Sequence, residues 1–303
     1  MSFIHQNQKY RGFTLVELLV VITIIGILAG LATGVAIYVR GSAVDTVTKS
    51  QLSQMEMALE AYKNEFGEYP PMLSDANGVR RHASSRWKRA SFSPDAYTAI
   101  LTELNLPLDE STDTPAEKAQ KDSLRIAASL TFWLGGLYSP ATGSYVGFSA
   151  NLEDPLGTKL SDPFSGQRTE VRFDFSEKNT LDIPGTAKAK CFAVYDKPVV
   201  YFRSTSVGDA NAYMQNVNGN MVPLFCDMKE LGIAVPYAKS ASPVVWHGAK
   251  KYQLLHPGRD SDFGDHDPTV IYYTGDGGNV PYEAENNITS FTDTATLRGA
   301  LNP

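Results

Sequence analysis

Four aspartates lie close together near the C-terminus and could bind a cation. Asp260, Asp262, Asp265 and Asp267 fall within eight residues, around a glycine at position 264. Carboxylate oxygens are the ligands that Ca²⁺ prefers, and it takes about six to eight of them. The spacing differs from that of an EF-hand loop. Two interpretations stay open: a calcium site, and a turn whose acidic side chains are only solvated.

The two cysteines of the chain could form a disulfide. A bond between Cys191 and Cys226 would close a loop of 36 residues, which stabilises a fold by about 4 kcal/mol in the chain-entropy model. Disulfides persist in proteins outside the cytoplasm. The alternative is two buried thiols in separate strands. Two cysteines are too few for a disulfide scaffold or a zinc module.

A cluster of basic residues could contact an anionic partner such as a polysaccharide, a lipid headgroup or DNA. Its members are Arg80, Arg81, Arg86, Lys88 and Arg89, with His82 and Trp87 among them. The net charge of -6 argues against a protein that binds nucleic acid through a global basic field. One aromatic residue and no repeat favour a solvated loop whose basic side chains pair with nearby acids.

Signatures of enzymes are absent from the sequence. It contains no phosphate loop, no G-x-S-x-G, no H-E-x-x-H and no G-x-G-x-x-G. The five histidines are scattered without metal-ligand spacing. We therefore expect that the chain is not an enzyme. A membrane-tethered enzyme is a remote alternative, because it would need a cleft with a perturbed acid or base.

One acidic residue lies inside the most apolar segment of the chain. Residues 13–39 carry a single charge, Glu17, and as a helix they would be roughly 40 Å long, against about 30 Å for the hydrocarbon core of a bilayer. Lys9 and Arg11 precede the segment and place its leading side in the cytoplasm. An unpaired carboxylate costs about 2.5–3.5 kcal/mol at the centre of a bilayer. We therefore predict a transmembrane helix whose acid has a partner.

The residues around this acid resemble a known processing signal. Gly12-Phe13-Thr14-Leu15-Val16-Glu17 is similar to the cleavage and methylation signature of type IV pilins and of the pseudopilins of type II secretion. The resemblance implies that a prepilin peptidase cuts after Gly12 and N-methylates Phe13. It also implies that Glu17 pairs with the terminal amine of the neighbouring subunit. Residues 252–260 resemble the last strand and loop of pseudopilins, where the major pseudopilin binds calcium.

The same resemblance implies a structural subunit of a type II secretion pseudopilus or a related type IV filament. Its partners would be the prepilin peptidase, an inner-membrane assembly platform with an ATPase, and other pilins or pseudopilins. The chain would cross the inner membrane once, with its N-terminus in the cytoplasm and its head in the periplasm. The alternative is a minor subunit at the filament tip that acts as an adhesin or as a substrate-binding module.

Helical patterns account for the first half of the chain. An amphipathic stripe runs to Phe66 and Gly67 supplies a stop. Ser93 and Pro94 predict one helix start, as N-cap and first helical residue. The capping box Thr114-Pro115-Ala116-Glu117 opens a second helix that runs to about Leu134, before two glycines.

Strand patterns account for the second half, and the fold class is therefore predicted as α+β. A long transmembrane and amphipathic helix would pack on a small antiparallel sheet, with a helical insertion. The candidate strands are Val171–Phe175, Cys191–Tyr195, Val199–Arg203, Tyr252–His256 and Val270–Thr274. The predicted segments are a leader (1–12), a membrane and assembly helix (13–39), its amphipathic continuation (40–71), a helical insertion (72–168) and a β head (169–303).

Overall fold

The computed structural model describes residues 14–87, 92, 95–205, 211–217, 220–275, 277–292 and 296–301, without the side chains of 32–41 and 299–300. The chain divides into two compact units, Met1–Val44 and Asp45–Pro303. We call the second unit the head.

The first element is a helix of 52 residues, α1, Leu15–Phe66. It ends where it is predicted to end, because Gly67 adopts a positive φ of 82° that glycine reaches without steric cost. The backbone N–H of Gly67 still donates to the carbonyl of Lys63 at 2.7 Å. Among the described residues no helix combines the length and the apolar character needed to cross a membrane.

Three helices fill the predicted insertion: α2 Ala76–Arg86, α3 Ala96–Glu103 and α4 Pro115–Leu130, which a π-helical turn extends over Thr131–Gly135. The predicted capping box of α4 is confirmed, since Thr114 and Glu117 bond reciprocally. For α3 the N-cap is Asp95, whose carboxylate accepts from Tyr97 N at 2.8 Å. The predicted caps Ser93 and Pro94 lie outside the described residues. A short helix, α5 Leu297–Leu301, follows near the C-terminus.

Short strands make up the rest of the head. In chain order they are β1 Tyr138–Ser139, β2 Ser144–Tyr145, β3 Thr180–Asp182, β4 Lys190–Val194, β5 Lys197–Pro198, β6 Val200–Arg203, β7 Met214–Val217, β8 Asn220–Pro223, β9 Cys226–Asp227, β10 Ile233–Ala234, β11 Tyr237–Ala241, β12 Val244–Trp246, β13 Tyr252–His256, β14 Tyr272–Tyr273 and β15 Ile288–Thr289. They form three-stranded sheets in the orders β15-β13-β6, β3-β4-β5 and β12-β11-β14, and three two-stranded ribbons. All pairs are antiparallel except β11 with β14. The α+β class is confirmed.

Four of the five predicted strands are present at least in part. The strand Tyr252–His256 has the predicted bounds. The other three, β4, β6 and β14, differ from their predicted bounds by a residue or more at one end or both. The prediction for Val171–Phe175 is wrong. The ring centroids of Phe173 and Phe175 lie 4.8 Å apart, and those of Phe173 and Phe192 lie 5.2 Å apart. An aromatic run therefore packs into the core from a segment that forms no strand.

One hydrophobic core joins the helices to the sheets. Leu59 of α1, Trp133 of the π-helical turn, Phe192 of β4 and Leu254 of β13 are all fully buried in it. Residues from both sides of the predicted boundary at residue 168 thus share this core. The helical insertion is built into the head.

Candidate functional site

The start of α1 carries the residues that sequence analysis ties to processing. Gly12 and Phe13 lie outside the described residues. Glu17 Oε2 accepts from Thr14 N at 2.8 Å and from Thr14 Oγ1 at 2.7 Å, and Thr14 Oγ1 accepts from Glu17 N at 3.2 Å. This is a reciprocal capping box. The T-x-x-E pattern signals it, but the only partner predicted for Glu17 was the terminal amine of the neighbouring subunit.

The first turns of α1 expose large apolar side chains all round the helix. We call residues 15–31 the exposed apolar segment. Its exposed members are Leu15, Val16, Leu18, Leu19, Val20, Val21, Ile22, Ile24, Ile25, Ile27, Leu28 and Leu31, which is still 65% exposed. A helix that is apolar on every side is stable when other apolar groups surround it. The segment therefore needs partner helices or lipid around it.

Further along α1, two charged residues tie the helix to the C-terminal loops of the head. Arg259 Nε donates to Asp45 Oδ1 at 2.9 Å, and its Nη2 donates to Asp45 Oδ2. One turn later, Lys49 Nζ donates to the carbonyl of Thr292 at 2.6 Å and to that of Thr289. Both contacts are long-range in sequence, and neither has a local sequence signal.

Three aspartates of the acidic loop accept hydrogen bonds from nearby groups. Asp260 accepts from Asn286 Nδ2 at 2.8 Å, while Asp262 and Asp267 each accept from a backbone N–H two residues on, at 2.8 Å. Over the described part of the chain, no group of three or more His, Cys, Asp or Glu side chains could hold a metal ion. Asp260, Asp262 and Asp267 instead accept hydrogen bonds that shape turns.

Lysine ammonium groups hold the backbone of these loops. Lys197 Nζ donates to the carbonyls of Gly258 at 2.7 Å and Arg259 at 2.8 Å, as Lys49 does to two other carbonyls. A charged donor makes a stronger hydrogen bond than a neutral one. The ammonium groups of Lys49 and Lys197 thus hold the backbone of these loops in place by hydrogen bonds.

Substitution of Lys49 by methionine is expected to destabilise the head by about 1–3 kcal/mol, because two partly buried carbonyls lose a charge-assisted donor. Urea unfolding of the full chain in detergent measures this free energy. The matched control is Lys178→Met at an exposed position, which should stay within about 0.5 kcal/mol of the parent. Equal unfolding midpoints for the two variants would contradict the role of Lys49.

Both cysteines are buried free thiols. Cys191 lies in β4 and Cys226 in β9, and the Sγ of Cys226 donates to the carbonyl of Ser123 at 3.4 Å. Burial raises the pKa of Cys191 to about 12, so the reactive thiolate is scarce. The structure therefore holds the alternative arrangement, with unpaired thiols in separate strands.

The basic cluster of the insertion is split between surface and core. Arg80 pairs with Asp95 at 3.1 Å, whereas Lys88 and Arg89 lie outside the described residues. Trp87 is 3% exposed, and the guanidinium of Arg86 lies 4.5 Å from the ring centroids of both Phe66 and Phe148. The prediction of a solvated loop is wrong here, because most of the cluster lies on a helix with a buried face. The long-range aromatic partners that cause this have no local signal.

A chain of hydrogen bonds extends from Arg86 through the core. Arg86 Nη1 donates to the hydroxyl of Tyr62 at 3.0 Å, Tyr62 donates to His82 Nε2 at 2.6 Å, and His82 Nδ1 donates to Glu68 at 2.8 Å. Arg203 also donates to Glu68, at 2.6 Å. The directions follow from a neutral His82, whose pKa is lowered chiefly by burial. The bond from His82, together with Arg203, lowers the pKa of Glu68 to about 2.

This network joins α1, α2 and β6. Tyr62 is fully buried and His82 is 1% exposed. The titratable groups of the network therefore face one another and not a cleft. Their arrangement stabilises the attachment of the insertion to α1.

Comparison with known proteins returns two matches. Residues 7–33 match the family model described as the prokaryotic N-terminal methylation motif. The type II secretion system core protein G of Pseudomonas aeruginosa is 28% identical over 96 residues, which are 32% of this chain and 68% of that protein. No solved structure matches the chain.

Proposed function

We propose that this chain, which belongs to the type IV pilin and type II secretion pseudopilin family, is a structural subunit that assembles through α1 into a type II secretion pseudopilus or a type IV-like filament. The family is one of structural subunits and not of enzymes. The exposed apolar segment carries the proposal. It lies within the matched motif. Its side chains are exposed along about two dozen ångströms of helix, because an α-helix rises about 1.5 Å per residue.

Processing precedes assembly in this proposal. A prepilin peptidase removes residues 1–12 and N-methylates Phe13, which leaves a terminal amine four residues before Glu17. The carboxylate of Glu17 then exchanges its contacts with Thr14 for the terminal amine of the neighbouring subunit. An ion pair in an apolar layer neutralises both charges, whereas one partner alone is costly there.

Before assembly the chain resides in the bacterial inner membrane with its head in the periplasm. Lys9 and Arg11 on the leading side favour this orientation, and lipid would surround the exposed apolar segment. An inner-membrane assembly platform with an ATPase and other pilins or pseudopilins would then be its partners.

The N-terminal mass of the protein isolated from its own cells tests this proposal. A chain that begins at N-methylated Phe13 supports the pilin pathway. A chain that begins at Met1 would refute processing, and cleavage beyond residue 39 would refute assembly through α1.

Substitution of Glu17 by valine is expected to reduce the protein in sheared filaments about tenfold or more, because the terminal amine of the neighbour loses its partner in an apolar layer. Processing should continue, which the N-terminal mass verifies. Thr23→Val is the control, since the hydrogen bond that Thr23 makes within the described part of the chain stays inside its own helix, to the carbonyl of Leu19 at 2.7 Å. Normal filament content in Glu17→Val would rule out the pairing role.

A minor subunit at the filament tip is the second candidate, as an adhesin or a substrate-binding module. The observation in its favour is an open groove between the insertion and a β-ribbon. Copy number separates the two candidates, because a repeating subunit is abundant in the filament and a tip subunit is not.

A further inference from the structure

One arginine of the head has its charged end buried without a partner. The Nε, Nη1 and Nη2 atoms of Arg168 are all buried, and none of them donates a hydrogen bond to any described residue. The residue as a whole is still partly exposed, so this exposure belongs to its other atoms. Arginine side chains usually do the reverse and keep the guanidinium in water while the stem is covered. Arg168 therefore holds a positive charge beneath the surface of the head.

Among the described residues, Arg168 is the only charged side chain whose buried polar atoms lack a partner. Arg125, which is fully buried, shows the usual arrangement, because it pairs with Asp109 at 2.8 Å and with Asp122 at 2.9 Å. A buried charge without a counter-charge strongly destabilises a fold. A negative charge is therefore expected beside Arg168.

The backbone that carries Arg168 lies at one end of a loop whose ends are tied together. Ser149 and Arg168 form an isolated antiparallel bridge. Within the loop, a Cβ on Gly157 would lie 2.6 Å from the carbonyl oxygen of Pro163, so the two halves of the loop are in close contact. The loop is thus closed at its base and across its middle.

Two acids of this loop act on Arg168 from a distance and do not pair with it. Burial lowers the pKa of Arg168, and the charges of Asp162 and Asp154 offset this effect only in part. Both carboxylate oxygens of Asp154 already accept hydrogen bonds, from donors four and five residues further on, at 2.9 Å. Asp162 is exposed, and its Oδ1 accepts from Phe164 N at 3.0 Å. Because arginine keeps its proton in proteins, Arg168 stays charged and needs a counter-charge from outside the chain.

We propose that Arg168 binds a small carboxylate anion from solution. A guanidinium presents its N–H donors in a planar fork, and the two oxygens of a carboxylate accept from this fork in parallel. Because all three nitrogens of Arg168 are buried, the anion has to be small enough to enter beneath the loop. This inference does not depend on processing or assembly. It can fail while the N-terminal mass supports the pilin pathway, and the reverse also holds.

Urea unfolding of the full chain in detergent tests the proposal, with sodium formate replacing sodium methanesulfonate at constant ionic strength. We expect formate to lower the unfolding equilibrium constant of the parent about tenfold in a saturable manner, because it binds the native head and not the unfolded chain. Arg168→Met should lose this dependence, since it removes the guanidinium. Arg81→Met, at an exposed arginine, is the matched control and should respond to formate as the parent does.

Saturation-transfer difference NMR on the formate proton measures binding directly. The parent should give a signal, and Arg168→Met should lose most of it. The amide of N-acetylaspartate carries its carboxylate on a peptide-sized group and should neither bind nor stabilise the parent, because the nitrogens of Arg168 are buried. If Arg168→Met is misfolded by circular dichroism, Arg168→Gln replaces it. An equal response of parent and variant to formate, stability of the parent that does not depend on formate, or equal binding of the bulky carboxylate would each overturn the proposal.

Discussion

Acidification from about pH 6.5 to about pH 4 is expected to unfold the head, because its buried histidines are held neutral. Burial lowers the pKa of His256 and of His266 to about 4 each, from the ordinary value of 6.5. The unfolded chain takes up these protons from about pH 6.5 downwards, and the native head does so only near pH 4. The stability they contribute is therefore present above pH 6.5 and is lost as the pH falls through this window.

The hydrogen bonds of His256 explain why protonation is incompatible with the native structure. Its Nε2 donates to the carbonyl of Val194 at 3.1 Å, and its Nδ1 accepts from the backbone N–H of Gly258 at 3.1 Å. A proton on Nδ1 would set two donors against each other in a fully buried site. Protonation of His266 has a different cost: its Nε2 lies 3.1 Å from the hydroxyl of Tyr237, which accepts from Asn287, so a proton on Nε2 would deprive the buried Tyr237 hydroxyl of the acceptor for its own proton.

The expected loss is large relative to the stability of a domain. The lowered pKa of His256 and that of His266 each account for about 3 kcal/mol of unfolding free energy. The unfolding free energy of a typical domain is about 5–15 kcal/mol. His82 and the partly buried His247 act in the same direction, since burial lowers the pKa of both. Asp122 acts against them, because burial raises its pKa to about 6 and the native head takes up that proton first. The net uptake on unfolding should be about two protons near pH 5.

Urea unfolding of the full chain in detergent at a series of pH values measures this proton uptake from the slope of the unfolding free energy. His256→Gln should lower the slope by about one proton between pH 6.5 and pH 4. Above pH 7.5 the variant and the parent should run parallel, which serves as the internal control. A slope that is the same in variant and parent across the acid window would contradict the assignment to His256.

Local signals in the sequence predicted the local structure well. The glycine at 67 ends α1, Thr114 and Glu117 cap α4, and the strand predicted at Tyr252–His256 is β13 with its observed bounds. Each of these features depends on residues within one turn or one strand, so a short stretch of sequence contains its cause.

Contacts between distant segments decided where prediction was wrong or silent. Arg86 and Trp87 read as part of a charged loop, yet Phe148, some sixty residues away, packs against both. The four-aspartate pattern of the C-terminal loop is compatible with a cation, but it does not indicate that Asp260 accepts a hydrogen bond from Asn286, 26 residues away. A pattern of residue types cannot show which distant side chain satisfies a polar group.

Substitution of Gly136 by alanine is expected to destabilise the head by about 2–6 kcal/mol. Gly136 ends the π-helical turn with φ 82° and ψ -133°, a region that is largely restricted to glycine. It pairs with Gly147 in an isolated bridge, and a Cβ at residue 136 would lie 2.3 Å from the carbonyl carbon of Gly147. Backbone atoms cannot rotate away as a side chain could, so the bridge must open. Strain of about 1–3 kcal/mol from each source gives this range.

Gly166→Ala is the matched control for this effect. Gly166 has a similar φ of 85°, but a Cβ there would meet no atom within 4 Å. The control therefore measures the cost of the backbone conformation alone, about 1–2 kcal/mol. Urea unfolding at neutral pH gives both free energies under conditions in which the histidines do not titrate. If the two variants lose equal stability, the close approach of Gly136 to Gly147 is not what holds the end of the π-helical turn against the β1–β2 ribbon. If Gly136→Ala alone unfolds at much lower urea, this contact is as rigid as its geometry indicates.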